Sequence, residues 1–203
     1  MRGIIMKNKN KHRTRRITLL GIFTTIIILQ TFVPFLGYVP IPPLNPTIIH
    51  ITVIVAAITL GTKDGMLIGG IWGIIRMLKA YTIPASPLDF LLWTNPLIAI
   101  VPRVLIGLFS GWVYHSLMKN KAKDSFARIG TASIVGSLTN TILVLLFIYL
   151  LYGEEYASAG GIDYSQLGVV LGTIILTNGV AEAVSAAVIT PFISKPLMKR
   201  KMN

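Results

Sequence analysis

The sequence of 203 residues contains no cysteine, so it can form neither disulfide bonds nor thiolate metal sites. Charged residues are also scarce: they make up 13% of the chain, whereas about a quarter is usual in soluble domains. Hydrophobic residues make up 53%, and the mean hydropathy is +0.72. This composition excludes an ordinary soluble domain and predicts an integral membrane protein.

Motifs of the common hydrolytic and nucleotide-binding sites are missing from the sequence. It has no GxxxxGK[ST] phosphate loop, no HExxH and no GxSxG. Its histidines, His12, His50 and His115, are too scattered to indicate a metal cluster. We therefore expect no enzyme activity, no metal and no cofactor in this chain. An uptake function would need energy from another protein.

Acidic residues are few as well, 7 against 19 basic ones, which gives a formal net charge of +12. The basic residues gather in the first sixteen positions, around one loop and at the end of the chain, always beside apolar runs. The positive-inside rule predicts such clusters at cytoplasmic ends, so we expect a membrane orientation and no nucleic-acid partner. The clusters are Arg2, Lys7, Lys9, Lys11, Arg13, Arg15 and Arg16; Lys119, Lys121, Lys123 and Arg128; and Lys195, Lys199, Arg200 and Lys201.

Six apolar segments predict an all-α fold: an integral membrane bundle of six transmembrane helices with cytoplasmic N- and C-termini. With six spans every outer connection lacks Lys and Arg, whereas four or five would break this pattern. We expect a basic cytoplasmic segment at 1–16 and a single six-helix domain at 17–198. No small-residue cleavage site precedes Ile17, so we expect a retained span rather than a signal peptide. The segments are Ile17–Leu36, Thr47–Leu60, Met66–Tyr81, Leu91–Met118, Ile129–Tyr152 and Leu167–Ile193.

Two arginines lie inside these segments. In the predicted topology Arg76 and Arg103 occupy the outer half of the membrane. Insertion of a cation costs about 2.5–3.5 kcal/mol at the membrane centre, so such residues need a reason to be there. Two at similar depth predict a shared polar cavity open to the outside, and the guanidinium suits a carboxylate or phosphate. The alternatives are snorkelling for both, or an ion pair between Arg76 and Glu182. Lys79 lies nearer the outer surface, where its stem can reach water.

Other polar side chains at this depth complete a predicted substrate-binding site. Each has a structural alternative. For the asparagines it is an interhelical hydrogen bond of about 0.6 kcal/mol, and for His50 and Trp93 it is a position at the membrane interface. Glu182 follows Asn178 by four residues on the same helical face. Its role stays open between a partner for an arginine, a capping acceptor and pocket lining. The further site residues are His50, Trp93, Asn95, Asn140 and Asn178.

Small residues at four-residue spacing indicate close helix contacts. Gly65, Gly69 and Gly73 share one face, which lets another backbone approach. Gly21 and Thr25 form a small-xxx-small pair near the cytoplasmic end of the first span. This pair predicts contact with another membrane subunit, or alternatively a contact inside the bundle.

Longer stretches resemble a known family. The run IPPLNPTIIHITVIVAAITLGTKDGMLIGGIWGIIRML, followed by VPRVLIGLFSGWVY, GSLTNTILVLLFIYL and TNGVAEAVSAAVITPFI, resembles the substrate-binding (S) subunits of bacterial energy-coupling factor (ECF) vitamin transporters. The similarity covers about Arg16 to Lys199 and is greatest to the pantothenate-specific type.

The resemblance implies a six-helix bundle in the bacterial cell membrane that binds one small vitamin near its outward side. The first loop, GYVPIPPLNP, would help to close the site, and the subunit would topple in the membrane to carry its ligand inward. The implied partners are a transmembrane scaffold subunit and two cytoplasmic ATPases, which use the ATP. Gly21 and Thr25 stand nearest the family's AxxxA pair, which faces the scaffold.

Pantothenate, a small anion with hydroxyls and an amide, fits the arginines and asparagines of the predicted site. The hypothesis is that Arg76, with Arg103, holds its carboxylate. The alternatives are another vitamin or precursor, of the folate, riboflavin, pyridoxine or pyrimidine type, or a structural membrane subunit with no ligand. The last alternative predicts that Arg76 pairs with Glu182.

Overall fold

A computed structural model describes residues 2–37, 47–117 and 125–202. This part of the chain forms ten α-helices and two π-helical segments, which confirms the all-helical prediction. The π segment Val113–Leu117 continues α7, and the π segment Ile175–Gly179 joins α9 to α10. The helices are α1 Arg2–Phe32, α2 Pro34–Gly37, α3 Ile49–Thr59, α4 Thr62–Thr82, α5 Pro87–Trp93, α6 Pro96–Ala99, α7 Val101–Trp112, α8 Phe126–Ala159, α9 Tyr164–Ile174 and α10 Val180–Met202.

Four helical stretches of the described residues are long and apolar enough to cross a membrane: Arg13–Phe32, Pro96–Ser116, Phe126–Ala159 and Tyr164–Lys199. Helix α3 is apolar but has only 11 residues, a rise of about 16 Å. Helix α4 has 21 residues, but four of them are charged, which lowers its hydropathy. The count of six spans and the cytoplasmic termini stay predictions.

The fourth apolar segment was predicted as one continuous run, Leu91–Met118, but the structure does not contain it as a single helix. The structure divides it into α5, α6 and α7, because Pro96 and Pro102 have no N–H to continue a helical hydrogen-bond ladder. Several other elements exceed their predicted bounds, and two of them change the reading of the sequence most. Helix α1 starts at Arg2, so the basic segment is helical, and α8 continues to Ala159 past Tyr152, whose φ of −142° marks a kink.

Parts of two predicted connections, residues 38–46 and 118–124, lie outside the described residues. They include most of GYVPIPPLNP and the basic residues Lys119, Lys121 and Lys123. The two ends of the first connection meet, since Ile48 N donates to Gly37 O at 3.0 Å. Arg128 of the basic loop cluster is buried, and its Nε donates to Tyr114 O at 2.8 Å.

Helix α3 lies at the centre of the bundle, and all eleven of its residues are buried. One apolar cluster surrounds it with side chains from α1, α4, α7, α8 and α10. A second cluster joins α5 and α6 to α8 and α9, and includes Leu92, Val144 and Leu167. The candidate site lies between these clusters, since Trp72 of the first and Val144 of the second both line it.

Glycines on α4 allow α7 to approach its backbone. A Cβ atom at Gly69 would overlap the carbonyl oxygen of Arg103, and one at Gly107 would overlap the backbone of Gly65. A Cβ at Gly73 would lie 2.6 Å from Ala99 O. The predicted glycine face of α4 therefore lies against α6 and α7, and this contact brings Arg76 and Arg103 to the same cavity.

Two polar contacts join α1 to α4. Near one end, Arg16 Nε donates to Asp64 Oδ2 at 2.9 Å, and the two side chains form an ion pair. Near the other end, Lys79 Nζ donates to Thr31 O at 2.6 Å and lies 5.7 Å from the Phe32 ring centroid. Lys79 thus has a structural partner within the bundle in addition to the interfacial position that the sequence predicts.

Candidate substrate-binding cavity

A partly open cavity of about 160 Å³ lies among α4, α5, α7, α8 and the α9–α10 segment. Five of the seven predicted substrate-site residues line it: Arg76, Trp93, Arg103, Asn140 and Asn178. His50 and Asn95 do not. The full lining is Thr47, Trp72, Arg76, Trp93, Arg103, Asn140, Thr141, Val144, Leu145, Ile174, Asn178 and Glu182.

Two arginines and two tryptophans form the basic wall of the cavity. Arg76 and Arg103 are only 9% and 4% exposed. The Trp93 ring centroid lies 4.8 Å from the Arg76 guanidinium carbon and 4.5 Å from that of Arg103. Trp72 contacts Arg103 at 5.0 Å. Such cation–π contacts contribute up to about 2 kcal/mol when they are desolvated, so the indoles stabilise and orient both cations.

Arg76 forms an ion pair with Asp89 through its Nη2 atom. The turn before α5 holds Asp89 in place, because its Oδ2 accepts from Ala85 N at 3.1 Å and its backbone N donates to Ser86 Oγ at 3.0 Å. The other terminal nitrogen of Arg76, Nη1, is buried and has no hydrogen-bond partner among the described residues. A structural subunit with no ligand is expected to pair Arg76 with Glu182. Among the described residues Arg76 pairs with Asp89 and forms no ion pair with Glu182.

Arg103 and Trp72, two further members of the basic wall, differ in their hydrogen bonds. Arg103 Nη1 donates to the carbonyl oxygen of Ile98, which fixes the guanidinium at the corner between α6 and α7. The indole Nε1 of Trp72 is buried and donates to no described atom. Since an indole nitrogen can only donate, Trp72 offers the cavity a further donor.

Glu182 lies on the acidic wall, formed by α8 and α10 together with Thr47. Its Oε1 accepts from Thr47 N at 2.8 Å, and its Oε2 accepts from Thr141 Oγ1 at 2.9 Å. The side-chain oxygen of Asn140, on the same helix as Thr141, is buried and accepts from no described donor. The role that the sequence left open for Glu182 therefore includes both structural hydrogen bonds and lining of the cavity.

A π-helical segment positions the last cavity residue. Asn178 lies within Ile175–Gly179, directly before α10. A π segment adds one residue to a helical turn and is often found at functional sites. Asn178 and Glu182 nevertheless reach the same cavity, as their four-residue spacing predicts.

The structure places Asn95 and His50 elsewhere. Asn95 caps α6, since its Oδ1 accepts from Leu97 N at 2.9 Å, and its Nδ2 donates to Tyr152 Oη at 3.0 Å. These bonds give it a structural role at the break between α5 and α6. His50 is fully buried in α3 and does not line the cavity.

Several cavity or supporting residues were not predicted, among them Trp72, Thr141 and Asp89. Trp72 precedes Arg76 by four residues and so shares its helical face, a signal that could have identified it. Thr141 follows Asn140 directly, and its hydroxyl partner, Glu182, is distant in sequence. Asp89 lies in the short helix α5, a stretch that the sequence predicts as a connection and for which it indicates no side-chain direction.

Gly21 and Thr25 lie on an unoccupied surface of α1. A Cβ at Gly21 would meet no described atom within 4 Å, and Thr25 is exposed with its hydroxyl bonded to Gly21 O at 3.0 Å. Neighbouring apolar side chains of α1 are also exposed, among them Ile22, Ile26 and Leu29. Within the described residues this pair makes no contact between helices of the bundle.

Apolar helices that surround a cavity lined by charged and amide side chains are typical of a polytopic membrane protein with a site for a small polar molecule. A family model for the ECF transporter substrate-specific component matches residues 15–194, and the chain belongs to this family. Pantothenate transporter PanT of Leuconostoc mesenteroides subsp. mesenteroides is 31% identical over 196 residues, which cover 93% of this chain and 95% of the relative. Pantothenic acid transporter PanT of Lactococcus lactis subsp. cremoris is 31% identical over 208 residues, which cover 95% and 98%.

Family membership and the apolar helices identify a multi-pass protein of the bacterial membrane with a role in transport. The resemblance found in the sequence is thereby confirmed.

Proposed function

We propose that this chain captures pantothenate from outside the cell for import. The observation that carries the proposal is the buried Arg76 guanidinium at the cavity wall, whose Nη1 has no partner among the described residues. Arg103 supplies a second cation beside it. The names of both relatives support pantothenate over other vitamins.

The basic wall of the cavity suits a carboxylate. Two arginines line it, and although Asp89 pairs with Arg76 Nη2, the Nη1 atom of Arg76 has no partner among the described residues. A carboxylate would accept from Arg76 and Arg103, while the amide and hydroxyls of pantothenate would meet the polar groups of Asn140 and Asn178. Folate carries two carboxylates and a large ring system, and riboflavin needs flat surfaces for stacking. The indole of Trp93, however, already lies against both guanidinium groups.

The proposed membrane arrangement has six spans, formed by α1, α3, α4, α7 with its π segment, α8 and the α9–α10 segment. The protein itself shields the two spans that are least suited to lipid. Every residue of α3 is buried, and the α4 cations Arg76 and Lys79 contact α5 and α1 respectively. Residues 1–16 and the C-terminus lie in the cytoplasm in this arrangement, and the basic clusters support it.

Delivery of the ligand requires partners. The chain would dock on an energy-coupling module of a transmembrane scaffold subunit and two ATPases, which hydrolyse the ATP. The exposed Gly21 and Thr25 on α1 are the proposed contact, because their small side chains allow a partner helix to approach closely.

A binding screen tests the ligand. The purified protein is titrated with pantothenate and with other water-soluble vitamins, and we expect saturable binding of pantothenate alone. Arg76→Ala should weaken binding about tenfold or more, since a hydrogen bond to a charged group contributes about 1.5–3 kcal/mol. Lys63→Ala removes an exposed cation away from the cavity and should leave affinity unchanged. Binding of a different vitamin, or of none, would overturn the proposal.

A further inference from the structure

The carboxylate of Glu182, on the acidic wall of the cavity, has acceptor positions that its hydrogen bonds within the protein do not use. A carboxylate has about four lone-pair positions for hydrogen bonds. The hydrogen bonds of Glu182 to described residues use two of them, one from Thr47 N and one from Thr141 Oγ1. The carboxylate lines the cavity although Glu182 is only 6% exposed. It can therefore accept from a bound molecule without losing either structural partner.

Donors and acceptors of the cavity lie on different helices. The basic wall, on α4, α5 and α7, offers Arg76 Nη1 and Trp72 Nε1 as donors that meet no described acceptor. The acidic wall offers Glu182 and the side-chain oxygen of Asn140, which accepts from no described donor. A ligand that satisfies both walls needs acceptors on one part and hydrogen-bond donors on another. A simple fatty acid would leave the acidic wall unsatisfied, which costs affinity.

We propose that Glu182 is a specificity-determining residue that contacts the ligand and selects carboxylic acids with hydroxyl groups remote from the carboxylate. This inference rests on the proposed function and extends it to the part of the ligand that the arginines do not reach. The donors in this inference are hydroxyls, because a hydroxyl can donate to the Glu182 carboxylate or to the side-chain oxygen of Asn140.

The test combines a change in the ligand with a change in the protein. The ligands are pantothenate and an analogue in which both hydroxyls are replaced by hydrogen. The proteins are the wild type and Glu182→Gln. The substitution keeps shape and both structural bonds, since Gln Oε1 can accept from Thr47 N and Gln Nε2 can donate to Thr141 Oγ1. It removes the charge and part of the accepting capacity.

We expect the wild type to bind pantothenate about tenfold or more tightly than the analogue. In Glu182→Gln this ratio should fall to about threefold or less, mainly through loss of pantothenate affinity, while affinity for the analogue stays close to that of the wild type. A purely structural role would weaken both ligands equally and leave the ratio unchanged, which would overturn the inference. A wild-type ratio near one would overturn it as well.

Two further variants distinguish a role in ligand contact from a general loss of folding. Glu182→Asp retains the charge but withdraws the carboxylate by one methylene, and its ratio should also fall; it replaces Glu182→Gln if that variant does not fold. Thr131→Val removes an exposed hydroxyl of α8 that donates to Ala127 O and does not line the cavity; it serves as the control and should keep the wild-type ratio. If the wild type binds neither ligand, the proposed function fails. If it binds both equally, only the role of Glu182 fails.

Discussion

Arg76 and Asp89 form an ion pair between α4 and α5, and their side chains are only 11% and 15% exposed. The pair holds one terminal nitrogen of Arg76 at α5 and leaves the other without a described partner. It also attaches α5, which carries Trp93, to the wall of the cavity. Asp89 thus positions a predicted ligand-binding cation without lining the cavity.

The first prediction concerns the stability that this pair provides. Asp89→Ala leaves the Arg76 guanidinium buried without its carboxylate partner, which should cost about 1.5–3 kcal/mol of unfolding free energy. Thermal unfolding of the purified protein in detergent measures the effect. Glu155→Ala removes an acidic residue from an exposed position and should leave the melting temperature unchanged. Equal melting temperatures for both variants would show that the ion pair contributes nothing.

The second prediction uses the tryptophans as reporters. The chain has three, and Trp72 and Trp93 line the cavity whereas Trp112 is 48% exposed and lies away from it. Ligand binding beside the two guanidinium groups should change the indole emission, with the same dissociation constant as direct binding. The double variant Trp72→Phe/Trp93→Phe should abolish the change.

The matched control for this experiment is Trp112→Phe, which should preserve the emission change. A signal that disappears with Trp112 instead would place the ligand at another part of the protein. Trp93→Phe alone should keep part of the cation–π contact and so weaken binding less than Trp93→Leu, since phenylalanine retains an aromatic face.

The sequence predicted the cavity residues best where the predicted topology determines how deep a residue lies in the membrane. Arg76 and Arg103 are far apart in sequence, but the predicted topology of six alternating spans assigned both to the same half of the membrane, and the structure places both at one cavity. The glycine spacing on α4 then indicated a close helix contact, which the structure places between α4 and α7. Asn178 followed from its position in the last apolar run.

Two of the predicted site residues lie outside the cavity lining, and the reasons are physical. Asn95 directly precedes Pro96, a pair of residues that favours a helix cap over a ligand contact, and the structure shows that cap. His50 lies in a helix whose residues are all buried, so no periodicity distinguishes a cavity-facing side from the others. Asp89 reaches Arg76 through a connection whose course depends on Ser86 and Ala85. Local pattern cannot predict such contacts.

The third prediction tests the contact between α4 and α7. A methyl group at Gly69 would overlap the carbonyl oxygen of Arg103, so Gly69→Ala must push the two backbones apart. Overpacking of this kind costs about 1–3 kcal/mol. Because Arg103 itself is displaced, ligand affinity should fall together with the melting temperature.

Gly172→Ala is the control for this substitution. A Cβ at Gly172 in α9 would meet no described atom within 4 Å, and alanine favours the helix. Its melting temperature should equal or exceed that of the wild type. Unchanged affinity and stability in Gly69→Ala would contradict the close packing of α4 against α7.

The fourth prediction separates ligand binding from delivery. A Cβ at Gly21 has free space around it, so Gly21→Trp should not disturb the described bundle or the cavity, and pantothenate affinity should stay within about twofold of the wild type. A large ring would nevertheless keep a partner helix from approaching this face of α1. Cellular uptake should therefore fall about tenfold or more, as expected when about 1.4 kcal/mol or more of docking energy is lost.

The control for the docking surface is Val169→Trp. Val169 on α9 is 74% exposed and lies on another side of the chain's apolar surface, where no partner contact is proposed. That variant should bind and transport normally, because a tryptophan there meets only lipid. If Gly21→Trp transported as well as Val169→Trp, the face of α1 that carries Gly21 and Thr25 could not be the docking surface. The scaffold contact would then have to lie on a different helix.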